Sequence, residues 1–167
     1  IDRALDYLEQ SLAQPAPAQV QWLPVWGASQ AFGVKVLAEY GRNQDSNITR
    51  LTGIADRLPV FAMSYLLDAL AAAKDRGPRY VSTLARVTNA LRVEGDQAHV
   101  QELNEEALGW IWHSNIRSTA IVLSGYFADI GHHLRPGIEE HLLAGVLAPQ
   151  AGGTRVEFST LGFTAAV

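Results

Sequence analysis

The chain has 167 residues, of which 48% are hydrophobic, and a formal net charge of −4 at pH 7. A domain of this size buries roughly 70% of the surface of its unfolded chain, so it can form a core without covalent cross-links. No cluster of lysines and arginines is present, which argues against a nucleic-acid surface. Because the chain has no cysteine, disulfides, thiolate nucleophiles and cysteine-ligated zinc are excluded.

No signal peptide is visible in the sequence. No apolar run reaches the ~18 residues that a membrane span needs, so direct membrane insertion is not expected. The chain opens at Ile1, without Met, inside a helical pattern. We therefore expect a piece of a longer protein, organised as a single domain over residues 1–167.

Apolar residues at helical spacing predict five helices in the first half of the chain. Proline and glycine punctuate this pattern, with Pro15 and Pro17 after the first helix and Gly41 after the second. The predicted helices run from residue 1 to about 13, from Leu23 to Gly41, from a cap at Ser46 or Asn47 to about Arg57, from Pro59 to Gly77, and from Tyr80 to Leu91.

A different pattern follows the fifth helix. Val93-Glu94-Gly95-Asp96-Gln97-Ala98-His99-Val100 consists of two short alternating runs around a Gly-Asp turn. This arrangement predicts a β-hairpin near residues 92–101, the only one in an otherwise helical chain.

Three further helical segments are predicted after the hairpin. The first runs from Ile116 to Ile130, and we expect it to be an inner helix with Ala120, Leu123 and Phe127 packed against neighbours. Pro136 opens the next, to about Val146, and a last apolar segment runs from Phe158 to Val167. Eight helices with short connections predict antiparallel neighbours, and Ser-Thr starts at 118–119 and 159–160 favour an array of helical hairpins.

The sequence offers no recognisable active site. Phosphate-binding, dinucleotide-binding, nucleophile-elbow and zinc-protease motifs are all absent. None of the histidines stands beside an identifiable nucleophile, and zinc would need three converging ligands. We therefore interpret the histidines as loop, hairpin or capping residues; they are His99, His113, His132, His133 and His141, the last three near Glu139 and Glu140.

The acidic and aromatic side chains also favour structural interpretations. A group of acids in a loop, Glu102, Glu105 and Glu106, is expected to be a solvated face. Two tryptophan pairs, Trp22 with Trp26 and Trp110 with Trp112, could stack against a sugar, but packing between helices is the preferred interpretation. The sequence therefore predicts no catalytic, cofactor-binding or metal-binding residues.

Taken in order, several segments resemble the thioester-containing domain of the α-2-macroglobulin family, in its bacterial branch. The similarity extends over nearly the whole chain and is strongest from about 91 to 123. The segments that carry it are Val93-Glu94-Gly95-Asp96-x-Ala98-His99, Trp110-x-Trp112-His113-Ser114, Ile116-Arg117-Ser118-Thr119-Ala120, Val36-Leu37-Ala38-Glu39-Tyr40-Gly41, Arg57-Leu58-Pro59-Val60 and Ile1-x-x-Ala4-Leu5-Asp6-Tyr7-Leu8.

This resemblance implies an all-α fold in which inner and outer helices alternate around an α/α toroid, of which this chain would be a part. It also implies a place in a large bacterial proteinase-trapping inhibitor of the periplasm or cell envelope, anchored as a lipoprotein. The implied partners are other domains of the same protein and, through the whole molecule, target proteinases. No cofactor is implied.

The sequence departs from the family at the residues that carry the chemistry. The thioester motif Cys-x-Glu-Gln is absent, since Leu8-Glu9-Gln10 has no cysteine near it. In the family this motif lies upstream of the matched region, as does the histidine that tunes thioester reactivity, so His99 does not inherit that role. A piece that begins after the motif and an intact homologue without the cysteine are both consistent with the sequence. Ser159-Thr160-Leu161-Gly162 also departs from the family pattern.

Two other classes of protein were considered. An α/α-toroid enzyme, such as a carbohydrate-active lyase or a cyclase, would need acidic clusters or a Tyr/His/Arg set at the barrel mouth. The aspartates Asp56, Asp68, Asp75 and Asp129 are instead scattered singly, which counts against it. A plain helical-repeat binding module would require that the hairpin is not formed. On these grounds the sequence favours a non-catalytic segment of a trapping protein. Fold analogy alone does not establish an activity.

Overall fold

The computed structural model describes residues 1–94, 97–102, 108, 114–125, 156–159 and 162–165. Within these residues the fold is mostly helical, as predicted, with six α-helices and two pairs of strands. The helices are α1 (Asp2–Leu12), α2 (Leu23–Glu39), α3 (Asp45–Thr52), α4 (Val60–Ala72), α5 (Pro78–Asn89) and α6 (Asn115–Gly125). The strands are β1 (Leu91–Glu94), β2 (Gln97–Val100), β3 (Val156–Ser159) and β4 (Gly162–Ala165).

The described helices form a central row and a set of flanking helices. Helix α4 packs along α2 on one side and along α6 on the other, whereas α1 packs on α2, α5 packs on α4, and α3 contacts both α2 and α4. The sequence explains this division, because α2 and α4 are apolar on most sides while α1 and α5 each carry one apolar stripe. Among the described helices α1 to α6, central and flanking helices therefore alternate.

The core lies between α2 and α4. Val34 and Leu37 of α2 and Leu66 and Leu70 of α4 are fully buried. Helix α1 approaches α2 closely at Gly33, where a Cβ atom would lie only 2.8 Å from Cδ2 of Leu12. A larger residue at this position would therefore separate the two helices or displace Leu12.

The hairpin predicted near residues 92–101 is confirmed. Strands β1 and β2 are antiparallel, and Leu91 pairs with Val100 while Val93 pairs with Ala98. Ala98 and Val100 are fully buried, and α6 packs against β2. Because the hairpin is present, the condition for a plain helical-repeat module is not met.

The predicted burial of the helix after the hairpin is confirmed as far as the structure describes it. Ala120 and Leu123 of α6 are buried in the core. Phe127, the end of this helix beyond Gly125, and the helix predicted from Pro136 to Val146 lie outside the described residues.

The last apolar segment was predicted as a helix from Phe158 to Val167, and this prediction is wrong for its described residues. Strands β3 and β4 pair there, with Phe158 opposite Phe163 and Ser159 opposite Gly162. The expectation of one hairpin in the chain is therefore also wrong. A short apolar run does not distinguish helix from strand by period alone, and the aromatic and β-branched residues on either side of a two-residue connection favour a hairpin.

Two helix ends also differ from the prediction. Helix α3 ends at Thr52, and the residues up to Arg57 include a separate 3-10 turn, Ala55–Arg57. Helix α4 ends at Ala72 and not near Gly77, since Lys74 adopts the left-handed conformation with φ of 57°.

Candidate functional site

The buried carboxylate of Glu102 joins three elements of the fold. Its Oε2 atom accepts a hydrogen bond from the backbone N–H of Val60 at 2.7 Å, and Oε1 accepts from the backbone N–H of Phe61 at 3.1 Å. The hydroxyl of Ser118 in α6 also donates to Oε1, at 2.8 Å. Only 4% of Glu102 is exposed to solvent. We call these residues, together with Asn115 and Thr119, the Glu102 junction.

The start of helix α4 explains why a distant carboxylate is needed. The first N–H groups of a helix have no partner within the helix, and a side chain at the N-cap usually accepts from them. Here the N-cap residue is Pro59, which has no such side chain. Glu102 supplies the missing acceptors, and its negative charge is favoured by the positive N-terminal end of the helix dipole.

Strand β2 and helix α6 hold Glu102 in place. The backbone N–H of Val100 donates to Oγ1 of Thr119 at 2.9 Å, and the backbone N–H of Glu102 donates to Oδ1 of Asn115 at 3.2 Å. Thr119 is itself held by a 2.6 Å hydrogen bond from its hydroxyl to the carbonyl of Asn115. The hairpin is therefore fastened to α6 by side chains of α6 and to α4 by Glu102.

The prediction that Glu102 belongs to a solvated acidic face is wrong, because this side chain is buried and fully hydrogen-bonded. A signal for it existed in the sequence: a buried helix that starts at Leu58-Pro59-Val60 lacks its own capping side chain. The sequence alone gave no distance between that helix start and Glu102. Glu105 and Glu106 lie outside the described residues.

A second group of charged residues lies between the central helices. Nζ of Lys35 in α2 forms an ion pair with Oδ2 of Asp68 in α4 at 2.9 Å, and Oε1 of Glu39 lies 3.7 Å from the same nitrogen. Lys35 also stands over the ring of Tyr65, 5.5 Å from its centroid, and Phe32 packs edge-on against that ring. We call Lys35, Tyr65 and Asp68, together with Arg117 of α6, the central-row cluster.

Burial and charge act in opposite directions on this pair. Burial raises the pKa of Asp68, and the nearby Lys35 only partly reverses this. Burial alone would lower the pKa of Lys35, but the attraction of Asp68, with a contribution from Glu39, outweighs it and raises that pKa. The two groups therefore form an ion pair whose carboxylate is costly to bury.

Helix α6 adds a second cation near Tyr65. The guanidinium of Arg117 lies over the ring of Phe61, 4.9 Å from its centroid, and its buried Nη1 has no hydrogen-bond partner among the described residues. Burial raises the pKa of Tyr65, while the charges of Arg117 and Lys35 act to lower it. Two cations, one phenol and one carboxylate from three helices are therefore grouped together, an arrangement that could bind an anion or move a proton.

The remaining aspartates are not part of this cluster. Asp56 is exposed on the 3-10 turn, and Asp75 accepts hydrogen bonds from the Gly77 N–H at 2.8 Å and from Nε of Arg79 at 2.9 Å, both of which lower its pKa. Asp129 lies outside the described residues. Asp56 is therefore single, as predicted. Asp75 shares Arg79 with Asp45, and Asp68 belongs to a cluster that its position in sequence did not reveal.

The candidate tryptophans and histidines that the structure describes each pack against, bond to or pair with neighbouring residues. Trp26 packs against the core with the guanidinium of Arg50 over its ring at 5.2 Å, and Trp22 donates from Nε1 to Gln19 at 2.8 Å. His99 is half-buried on β2, paired with Arg92. The other candidates, Trp110, Trp112, His113, His132, His133 and His141, lie outside the described residues.

The described residues hold neither a metal cluster nor a membrane-spanning helix. Within them, no group of three or more His, Asp or Glu side chains is placed to bind one metal ion. None of the helices in the same part of the chain combines the length and apolarity needed to cross a bilayer. No protein-family model, curated protein or solved structure matches the chain. The geometry of the two sites and the resemblance of the sequence are thus the basis for an inference about function.

Proposed function

We propose that the chain is a non-catalytic, shell-forming segment of a bacterial α-2-macroglobulin-like proteinase-trapping inhibitor. The observation that carries the proposal is the Glu102 junction. Three segments that resemble the family are far apart in sequence, namely Arg57–Val60, the hairpin strands and Ser114–Ala120. They meet at this buried point, where they share hydrogen bonds.

The alternation of central and flanking helices supports a second part of the proposal. An α/α toroid consists of inner and outer helices in alternation, and the contacts of α2, α4 and α6 on one side and α1, α3 and α5 on the other suit an arc of such a ring. In the proposed parent protein this arc contacts the other domains and helps to enclose a captured proteinase. The proposed location is the periplasm or cell envelope.

Covalent capture of a proteinase needs an activated acyl group, which in this family is the Cys–Gln thioester. The chain has no cysteine, so it cannot form this bond by itself. Incubation of the purified chain with trypsin and a radiolabelled amine is expected to give no covalent adduct and no protection of trypsin from a large inhibitor. Stoichiometric adduct formation would refute the non-catalytic assignment.

The trapping role is tested in the parent protein. After exposure to trypsin, the parent is expected to leave cleavage of a small chromogenic substrate intact while blocking access of a large inhibitor to the enzyme. Glu102→Gln is expected to reduce the protected fraction, whereas Asp56→Asn, an exchange of an exposed acid, should leave it unchanged. Equal access of the large inhibitor with and without the parent would refute the proposal.

A second candidate function is favoured by the central-row cluster. An α/α-toroid enzyme that acts on acidic polysaccharides could use a tyrosine as acid or base between two cations, and Tyr65 lies near both Lys35 and Arg117. Turnover of a uronic-acid polysaccharide, followed by the ultraviolet absorbance of an unsaturated product and lost in Tyr65→Phe, would place this function first. Absence of turnover in the purified chain and in the parent would exclude this lyase activity on the polysaccharide tested.

A further inference from the structure

A cleft lies on the outside of the Glu102 junction, between the end of α5 and the start of α4. Its volume is about 270 Å³, slightly below the ~300 Å³ at which pockets for drug-sized ligands begin. The apolar lining comes mainly from Leu58, Val60, Met63 and Ala90, all of which are buried. The cleft therefore has the size and apolar surface for a small organic molecule.

Two arginines line the same cleft, and each has guanidinium N–H groups without a partner in the described part of the chain. Arg86 lies in the last turn of α5 and is exposed, and its guanidinium forms no ion pair or hydrogen bond with any described residue. Arg92 donates from Nε to Gln101 at 3.0 Å and from Nη1 to the carbonyl of Asn89 at 2.9 Å. Its Nη2 has no partner in the described part of the chain, so both guanidinium groups can donate to a ligand.

The acidic groups of the cleft do not neutralise these arginines. Glu102 lines the cleft, but its oxygens already accept from two backbone N–H groups and one hydroxyl. Asp56 is exposed and forms no ion pair with either arginine. An unpaired guanidinium favours a planar carboxylate, to which it can donate two parallel hydrogen bonds.

From this combination we propose that the cleft binds an apolar monocarboxylate. The carboxylate lies against Arg86 and Arg92, and the hydrocarbon part lies on Met63, Val60 and Leu58. A free short-chain acid and the carboxyl end of a peptide with an apolar last residue share this chemistry. The proposal does not depend on the trapping function, because it uses only the residues that line the cleft.

The single methionine of the chain provides a direct probe. Met63 lies in the cleft, so isotope labelling of methionine methyl groups gives one NMR signal at the proposed site. Hexanoate, N-acetyl-leucine and a tetrapeptide ending in leucine are titrated separately while this signal is followed. We expect at least one of them to shift it saturably, and the relative affinities distinguish a free acid from a peptide end.

Charge recognition is tested with matched ligands and variants. Hexanamide is expected to bind at least about tenfold more weakly than hexanoate, and Arg86→Gln should weaken the carboxylate ligands roughly tenfold or more. Arg3→Gln, an exchange of another exposed arginine, should leave the affinity unchanged. The proposal is overturned if none of the three carboxylates shifts the Met63 signal, or if hexanamide or the Arg86→Gln variant binds as tightly as the reference.

Discussion

Helix α4 meets two carboxylates, one buried and one partly buried, and their environments are different. Glu102 at the start of the helix is held by backbone N–H groups and a serine hydroxyl, which do not titrate. Asp68, two turns into the helix, depends on the side chain of Lys35, and burial raises its pKa. The first carboxylate accepts from donors that would otherwise be unpaired, whereas burial of the second carboxylate costs free energy.

This difference separates a structural site from a site that is available for chemistry. Removing Glu102 leaves buried backbone donors without partners, and no other described side chain takes its place. Removing Asp68 leaves Lys35, a partly exposed cation whose long side chain can still approach Glu39. We therefore expect changes at the Glu102 junction to affect folding and changes in the central-row cluster to affect charge and pH response.

The largest effect is expected for Glu102→Ala. Loss of the carboxylate leaves the N–H groups of Val60 and Phe61 and the hydroxyl of Ser118 without their acceptor, which should cost about 3–5 kcal/mol of unfolding free energy. Urea denaturation measures this, with Asp56→Asn as a control expected to stay within about 0.5 kcal/mol. A loss below about 1 kcal/mol for Glu102→Ala would show that the junction is not structurally important.

Packing of α6 beside this junction is tested by Leu123→Ala. Leu123 is fully buried, so the truncation should cost on the order of 2–5 kcal/mol through lost burial and a residual cavity. Val81→Ala in α5, where the valine is 60% exposed, is the matched control and should cost much less. A loss below about 1 kcal/mol for Leu123→Ala would place that face of α6 in solvent.

A smaller effect is expected for Asp68→Asn. The substitution removes the partner of Lys35 but also the cost of burying a carboxylate, so we expect a loss of about 1–3 kcal/mol, less than the roughly 3–5 kcal/mol typical of a broken buried pair. The double variant Lys35→Met with Asp68→Leu should recover most of this loss, because it removes both charges. If the double variant is less stable than Asp68→Asn alone, the attraction within the pair adds more to the free energy of unfolding than desolvation of the two charges removes.

The smallest effect, and the most specific, concerns pH. The pKa of Lys35 is raised in the folded state, so its contribution to stability is complete below the unfolded value of 10.5 and is lost as the pH rises through the folded value. Wild type is therefore expected to lose stability relative to Lys35→Met as the pH rises through the folded pKa of Lys35. A difference that is independent of pH in this range would contradict the raised pKa.

The same sign analysis applies to Asp68. A raised carboxyl pKa means that the folded state keeps this proton to higher pH, so the stability gained from the protonated group is lost as the pH rises from 3.8 through the folded value. Asp68→Asn removes this dependence, whereas the lowered pKa of Asp75 acts in the opposite direction and remains. Comparison of wild type and Asp68→Asn from acid to neutral pH thus isolates the central-row carboxylate.

Local features of the fold were predictable because they depend on local spacing. The helical period, Pro59 at the start of α4 and the Gly-Asp turn located five helices and the first hairpin, although the ends of α3 and α4 come five residues earlier than predicted. The last segment was not predicted correctly, because a short segment does not distinguish helix from strand by its period, and the pairing of β3 with β4 depends on register. The buried role of Glu102 depends on a contact about 42 residues away in sequence, which periodicity does not contain.

The central claim is that the carboxylate of Glu102 caps helix α4 and thereby fastens the hairpin to the helices. Native-state hydrogen exchange at the amides of Val60 and Phe61 tests it most directly, because first-turn amides without a buried acceptor normally exchange rapidly. We predict that both amides are protected in the wild type. At least one of them should lose that protection in Glu102→Gln, because glutamine keeps only one of the two acceptor oxygens, while amides in the middle of α1 should change only as much as the global stability does. Rapid exchange at Val60 and Phe61 in the wild type, or unchanged protection in Glu102→Gln, would contradict the account.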